Sequence, residues 1–158
     1  GIRRCGKSVM LELVKQELLD SGVGAEQFIT LNFEDLRNAP LCRAEALHAE
    51  ILRRAAAIPG KAYLFFDEIQ EVQEWEKCVN SLRVALDCDI YITVSNAKLL
   101  SGELATYLAG RYVESVIYPF SFGEFVDLYK TVYPDADSRQ CFNQYLTMGG
   151  MPYLANLR

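Results

Sequence analysis

The sequence predicts an α/β fold, with three α/β/α layers built around a parallel sheet. Three observations carry that prediction. Short runs rich in β-branched and aromatic residues alternate with longer runs whose apolar residues recur at helical spacing. Such alternation folds as parallel strands with helices covering both faces. The chain also opens with Gly1-Ile2-Arg3-Arg4-Cys5-Gly6-Lys7-Ser8, a G-x-x-x-x-G-K-[ST] sequence. Finally, the apolar run Tyr63-Leu64-Phe65-Phe66 passes directly into Asp67-Glu68.

The elements follow in order. The opening motif works as a loop between a strand and a helix. Nothing in the sequence precedes Gly1, so the expectation is an N-terminally truncated domain over residues 1–158 whose pre-loop strand is missing. In the helix after the loop, Val9, Met10, Leu13, Val14 and Leu18 predict an apolar face, and Ser21-Gly22 ends the run. Phe28 to Phe33 is β-branched and aromatic and reads as a strand. Leu41 to Ala57 follows helical spacing until Pro59-Gly60 stops it. Ala62 to Phe66 is continuously apolar, as a strand buried on both faces is. Trp75, Cys78, Val79, Leu82 and Leu86 mark an amphipathic helix, with Trp75 in the core.

Asp89 to Val94 predicts a third strand, Leu99 to Leu108 a helix, and Val113 to Tyr118 a fourth strand ended by Pro119. From about residue 120 onward the chain is helical in pattern, with a break at Pro134-Asp135. Gly149-Gly150-Met151-Pro152 reads as a chain reversal. No repeat, low-complexity segment or linker interrupts this order.

Composition narrows the function classes. A chain of 158 residues fits a single domain, and its net charge of −5 argues against a general nucleic-acid-binding surface. No apolar run is long enough to span a bilayer, and no charged-then-apolar leader opens the chain. The five cysteines are scattered without a C-x-x-C pair, which suits reduced thiols in a cytoplasmic protein better than disulfides or zinc. His48, the single histidine, lies in a helical stretch and reads as a helix-surface residue.

The chemistry concentrates in the two motifs. Gly1 and Gly6 permit backbone angles and close approach that a Cβ obstructs. The loop N–H groups, with the positive end of the following helix, form an anion-binding nest. Nucleotide contact is therefore expected over Gly1, Arg3, Arg4, Cys5, Gly6, Lys7, Ser8 and Val9, although solvation is the plainer reading for the two arginines. Lys7 is placed to reach the β- and γ-phosphates and Ser8 to ligate Mg²⁺. Asp67, at the carboxyl end of a buried strand where ligands bind in open α/β sheets, is expected to share that Mg²⁺ shell. Glu68 is then the residue that orients and polarises an attacking water. After the third strand stand Thr93, Val94, Ser95 and Asn96. Ser95 or Asn96 can sense the γ-phosphate or simply cap the next helix. Arg111 is the candidate transition-state arginine, with a surface salt bridge as its alternative.

The opening motif and Tyr-Leu-Phe-Phe-Asp-Glu-Ile-Gln, with Ser-Asn-Ala-Lys-Leu-Leu-Ser, Leu-Ala-Gly-Arg-Tyr and Tyr-Pro-Phe-Ser-Phe-Gly-Glu-Phe, resemble a widespread prokaryotic family of AAA-type P-loop ATP-binding proteins. Its members usually carry a further C-terminal domain. The resemblance runs from Gly1 to the Gly-Gly-Met-Pro turn. It implies ATP as nucleotide, Mg²⁺ as cofactor and a cytoplasmic setting. It places Lys7 and Ser8 in Walker A, Asp67 and Glu68 in Walker B, Ser95-Asn96 near the sensor, and Arg111 as a finger acting in cis or on a neighbouring subunit. The expected activity is ATP hydrolysis. The alternative is a nucleotide-gated switch that controls an effector domain or protein partner with little turnover. An oligomer is compatible with either. Two features depart from the family pattern. Val94 stands where the family has Gly, and its β-branch restricts the backbone there. The missing strand is the one the family places centrally, between the third and fourth strands named above.

Overall fold

Three parallel strands, β1 (Phe28–Asn32), β2 (Ala62–Asp67) and β3 (Cys88–Ile92), lie side by side in the order β1-β2-β3 in the computed structural model. The structure describes residues 6–95 and 112–149. Contacts divide these into two units, one of 8–95 with 112–114 and one of Gly6 and Lys7 with 115–149.

The sheet belongs to the first unit, and its strands are read from sequence almost to the residue. Ile29 pairs with Leu64 and Leu31 with Phe66 on one side of β2, while Leu64 pairs with Ile90 and Phe66 with Ile92 on the other. Successive side chains alternate between faces. The row Ile29, Leu31, Leu64 and Phe66 therefore shares one face, and it packs in the main apolar cluster with Leu47 and Ile51 of α2 (Ala44–Ala55) and Trp75, Cys78, Val79 and Leu82 of α3 (Trp75–Ala85). Trp75 is a core residue, as its spacing predicts. His48 sits on the surface, with its ring nitrogen 3.0 Å from Ser81 Oγ.

The opposite face is aromatic. Phe65 is fully buried, stacks on Tyr91 with ring centroids 4.9 Å apart, and meets Phe28 edge-on at 5.5 Å. Above it lies α1 (Lys7–Asp20), whose Lys15 ammonium stands 5.2 Å from the Phe65 ring centre. The helix ends where expected. Gly22 takes φ of +98°, and its N–H and that of Val23 bond back to the carbonyls of Leu19 and Leu18. That left-handed stop is open to glycine at no steric cost.

Two expectations are corrected. The apolar face predicted for α1 is only partly inward. Val9, Met10 and Leu13 are exposed, whereas Leu11 is buried and Val14, Lys15 and Leu18 are half-buried. Apolar residues lie nearly all round the first two turns, so spacing alone does not choose the face. The Lys15 ammonium sits over the Phe65 ring in a cation–π contact and pairs with Glu12. The second correction concerns Val113 to Tyr118, expected as a fourth strand. Residues 112–121 are irregular backbone, with Val113, Val116 and Tyr118 exposed. A strand is held by its ladder to a neighbour, and the sheet of the described residues is β1-β2-β3 without this segment. The helix predicted over Leu99 to Leu108 lies outside the described residues.

The second unit is a helical pair, α4 (Phe122–Val132) and α5 (Ser138–Met148), broken at Pro134-Asp135 as the pattern predicts. Both helices begin with a capping box. Ser121 and Glu124 exchange hydrogen bonds at the start of α4, as Asp137 and Gln140 do at the start of α5, satisfying otherwise orphan N–H groups. Phe125 is buried between Tyr129, stacked at 5.6 Å, and Tyr145, edge-on at 5.2 Å. Gly149 ends α5 with φ of +69°; the remainder of the predicted Gly-Gly-Met-Pro reversal lies outside the described residues. No helix among the described residues is long and apolar enough to cross a membrane.

Candidate functional site

A polar row crosses the carboxyl ends of the three strands. Asn32 ends β1 and is in register with Asp67, which ends β2. Thr93 follows β3, with its N–H bonded to the Phe66 carbonyl at 2.9 Å. Alternation puts all three side chains on the aromatic, α1-bearing face. There the Asp67 carboxylate is the hub. Its Oδ2 accepts from Ser8 Oγ at 2.7 Å and from Asn32 Nδ2 at 3.2 Å, while its Oδ1 accepts from Thr93 Oγ1 at 2.5 Å. Thr93 serves twice, because the same Oγ1 accepts the Glu68 N–H at 2.9 Å. Asp67, Glu68 and Thr93 are all buried. Burying a polar group is costly unless it is hydrogen-bonded, and three side-chain donors satisfy the Asp67 carboxylate here.

Glu68 leaves β2 in an unusual way. Its backbone is left-handed, φ 55° and ψ 48°, a conformation that costs a non-glycine residue on the order of 1–3 kcal/mol and tends to persist at functional sites. The surroundings hold it there. The Ile69 N–H bonds to the Thr93 carbonyl at 3.1 Å, and Ile69 is fully buried. A short 3-10 turn, Ile69–Glu71, then carries Gln70 back toward Glu68. The Glu68 side chain accepts on both oxygens, from Ser95 Oγ to Oε1 at 2.5 Å and from Gln70 Nε2 to Oε2 at 2.6 Å.

The residues expected from sequence divide as follows. Ser8 and Asp67 are brought together, and Glu68 and Ser95 are brought together. Gly6 adopts φ of +96°, a value that requires glycine, and Lys7 is buried as the first residue of α1. Val9 is exposed on α1. Val94 is buried, and its side chain belongs to the main apolar cluster. Gly1, Arg3, Arg4, Cys5, Asn96 and Arg111 lie outside the described residues. Reading the motifs alone passes over Asn32 and gives no role to Gln70, the last residue of the Asp-Glu-Ile-Gln segment. Asn32 had a usable signal, a polar residue ending a strand-like run directly upstream of the Asp67 strand. Gln70 stood within the motif, but nothing in the sequence assigned it a contact.

A parallel sheet whose α1 opens on the Gly-Lys-Ser of the motif, with a Ser–Asp contact at the carboxyl ends of its strands, defines a P-loop NTPase-like nucleotide-binding domain. Comparison with known families is more specific: a family model described as an AAA domain matches residues 1–126. The chain belongs to that family. It is 44% identical over 155 residues to an uncharacterized protein of Haemophilus influenzae, covering 96% of this chain and 38% of the relative. It is 35% identical over 161 residues to an uncharacterized protein of Methanocaldococcus jannaschii, covering 96% of this chain and 34% of that relative. The chain thus spans well under half the length of these relatives. No solved structure matches it.

Proposed function

We propose that this domain binds ATP with Mg²⁺ and hydrolyses it to ADP and phosphate. The observation that supports this most is the 2.7 Å contact between Ser8 and Asp67 with Glu68 next in the chain. It sets a hydroxyl and a carboxylate together where a triphosphate rests on the loop.

The donor set suits Mg²⁺, which takes hard oxygens, few carboxylates and several waters. Ser8 Oγ and Asp67 Oδ2 would hold the ion, which neutralises charge on the β- and γ-oxygens when bound. Gly6 and the loop N–H groups cradle the phosphates, and Lys7 stabilises the charge that develops on the γ-phosphoryl group. Glu68 orients a water for in-line attack and takes up its proton. Asn96 and Arg111 are the sensor and arginine candidates, and Ser95 reports the state of Glu68 through its hydrogen bond. A cytoplasmic setting and an attached effector domain or protein partner accompany this reading.

The test is ATP binding and turnover of wild type, Lys7→Ala and Glu68→Gln. Lys7→Ala should weaken binding. Glu68→Gln should bind ATP as wild type does and lose turnover. Wild-type binding without turnover would replace hydrolysis by the nucleotide-gated switch.

A further inference from the structure

We infer that Gln70 is a positioning residue for Glu68: its side-chain amide fixes the carboxylate that activates water. The inference rests on the hydrolytic reading above and adds to it a role for Gln70, the last residue of the Asp-Glu-Ile-Gln segment.

Gln70 is itself held in place. It sits in the 3-10 turn whose first residue, Ile69, is fully buried and bonded through its N–H to the Thr93 carbonyl. The turn is closed by the Glu71 N–H to the Glu68 carbonyl at 3.1 Å and the Val72 N–H to the Ile69 carbonyl at 2.9 Å. A donor mounted on such a turn loses little further freedom when it bonds to Glu68, whose Oε2 it meets at 2.6 Å.

The amide also shows what it is there for. Gln70 Oε1 is buried and has no hydrogen-bond partner among the described residues. Leaving a buried acceptor unmatched is unfavourable. The reverse orientation, with the carbonyl oxygen against the carboxylate, would set two acceptors face to face. The amide therefore serves Glu68 at the expense of its own second atom.

A carboxylate has about four lone-pair directions. Ser95 and Gln70 each fill one, on different oxygens. Two fixed donors remove rotation about the last torsions of Glu68, which is otherwise broad. A misplaced catalytic group loses rate, not substrate affinity.

The experiment compares kcat, the dissociation constant for ATP and the thermal midpoint in wild type, Gln70→Met, Gln70→Ala and Glu68→Gln of the intact protein. Methionine keeps the volume and removes the donor. Gln70→Met should lower kcat about tenfold with ATP affinity within about twofold, and with an unchanged midpoint. Gln70→Ala should lose as much. Gln70→Met turning over like wild type, or weakening ATP binding as much as it slows turnover, overturns the proposal. If Glu68→Gln is inactive in that same series, the hydrolytic reading survives and only the role of Gln70 falls. A Glu68→Gln variant with wild-type turnover, or a wild type with none, overturns both.

Discussion

Ser8 and Asp67 stand 59 positions apart in the chain, yet Ser8 Oγ donates to Asp67 Oδ2 at 2.7 Å. The contact joins the first turn of α1 to the carboxyl end of β2. A hydroxyl in that place can bond to the carboxylate or turn its oxygen to a cation held between the two. Ser8→Ala removes the second option while leaving Asn32 and Thr93 as donors to Asp67. The expected outcome is a loss of at least tenfold in ATP affinity that appears only with Mg²⁺ present, and a change in folding stability of about 1 kcal/mol or less. Titration calorimetry with and without Mg²⁺ reads both states. An equal loss in each would show that the hydroxyl serves the loop and not the metal.

Thr93 connects the two acids from the third strand, donating to Asp67 and accepting from the Glu68 N–H. Thr93→Val keeps the shape and strands both groups in a buried setting. Each loss costs about 1–3 kcal/mol, so Thr93→Val should destabilise the fold by about 2–4 kcal/mol in urea titration. Thr93→Ser retains the hydroxyl and should restore most of it. Near-wild-type stability for Thr93→Val would mean that water replaces both bonds.

Much of this arrangement was legible in sequence, and the failures have physical causes. The strands were readable because Ala62 to Phe66 and its neighbours are dense in residues that fit a pleated, buried surface. The acids were readable because a charged pair directly after such a run must sit at the strand's end. The face of α1 was not, since helical period carries little information where Val9, Met10, Leu11, Leu13 and Val14 surround the axis. Val113 to Tyr118 has strand composition, but β-propensity acts only through a ladder, and sequence does not show whether the neighbour is present. The contacts of Asn32 and Gln70 escaped notice for a third reason. Their roles come from register across the sheet and from a turn's curvature, and neither has a one-dimensional signature.

On α2, Glu50 accepts from Arg53 at 2.8 Å and from Arg54 at 2.7 Å, the spacing at which helix side chains meet. These hydrogen bonds hold its carboxyl at about 2, below the ordinary 4.5. The folded state therefore binds this proton less readily than the unfolded chain. The associated stability is fully present above about 4.5 and is lost as pH falls toward about 2. Glu50→Gln should flatten that part of the acid limb in unfolding midpoints measured across the window. Added salt should shrink the wild-type effect, because Arg53 is largely exposed. An acid limb unchanged by the substitution would assign it to other carboxylates.

Cys78 titrates in the opposite sense. It is buried in α3 against the apolar cluster, and desolvation raises its thiol from 9.0 to about 11, with Glu45 adding to the shift. Two pH units mean about a hundredfold less thiolate at neutral pH, and thiolate is the reacting species. Cys78 should therefore resist alkylation in the native protein and react fully in denaturant, as peptide mass mapping would show. The same displacement couples to folding. The neutral thiol is favoured in the folded state, so its contribution is complete below about 9 and declines as pH rises toward about 11. Cys78→Ala should flatten the alkaline limb over that interval even though it removes a buried atom and lowers stability overall. Prompt native-state alkylation would mean that α3 opens locally often enough to expose the thiol, and hydrogen exchange in α3 would then be equally fast.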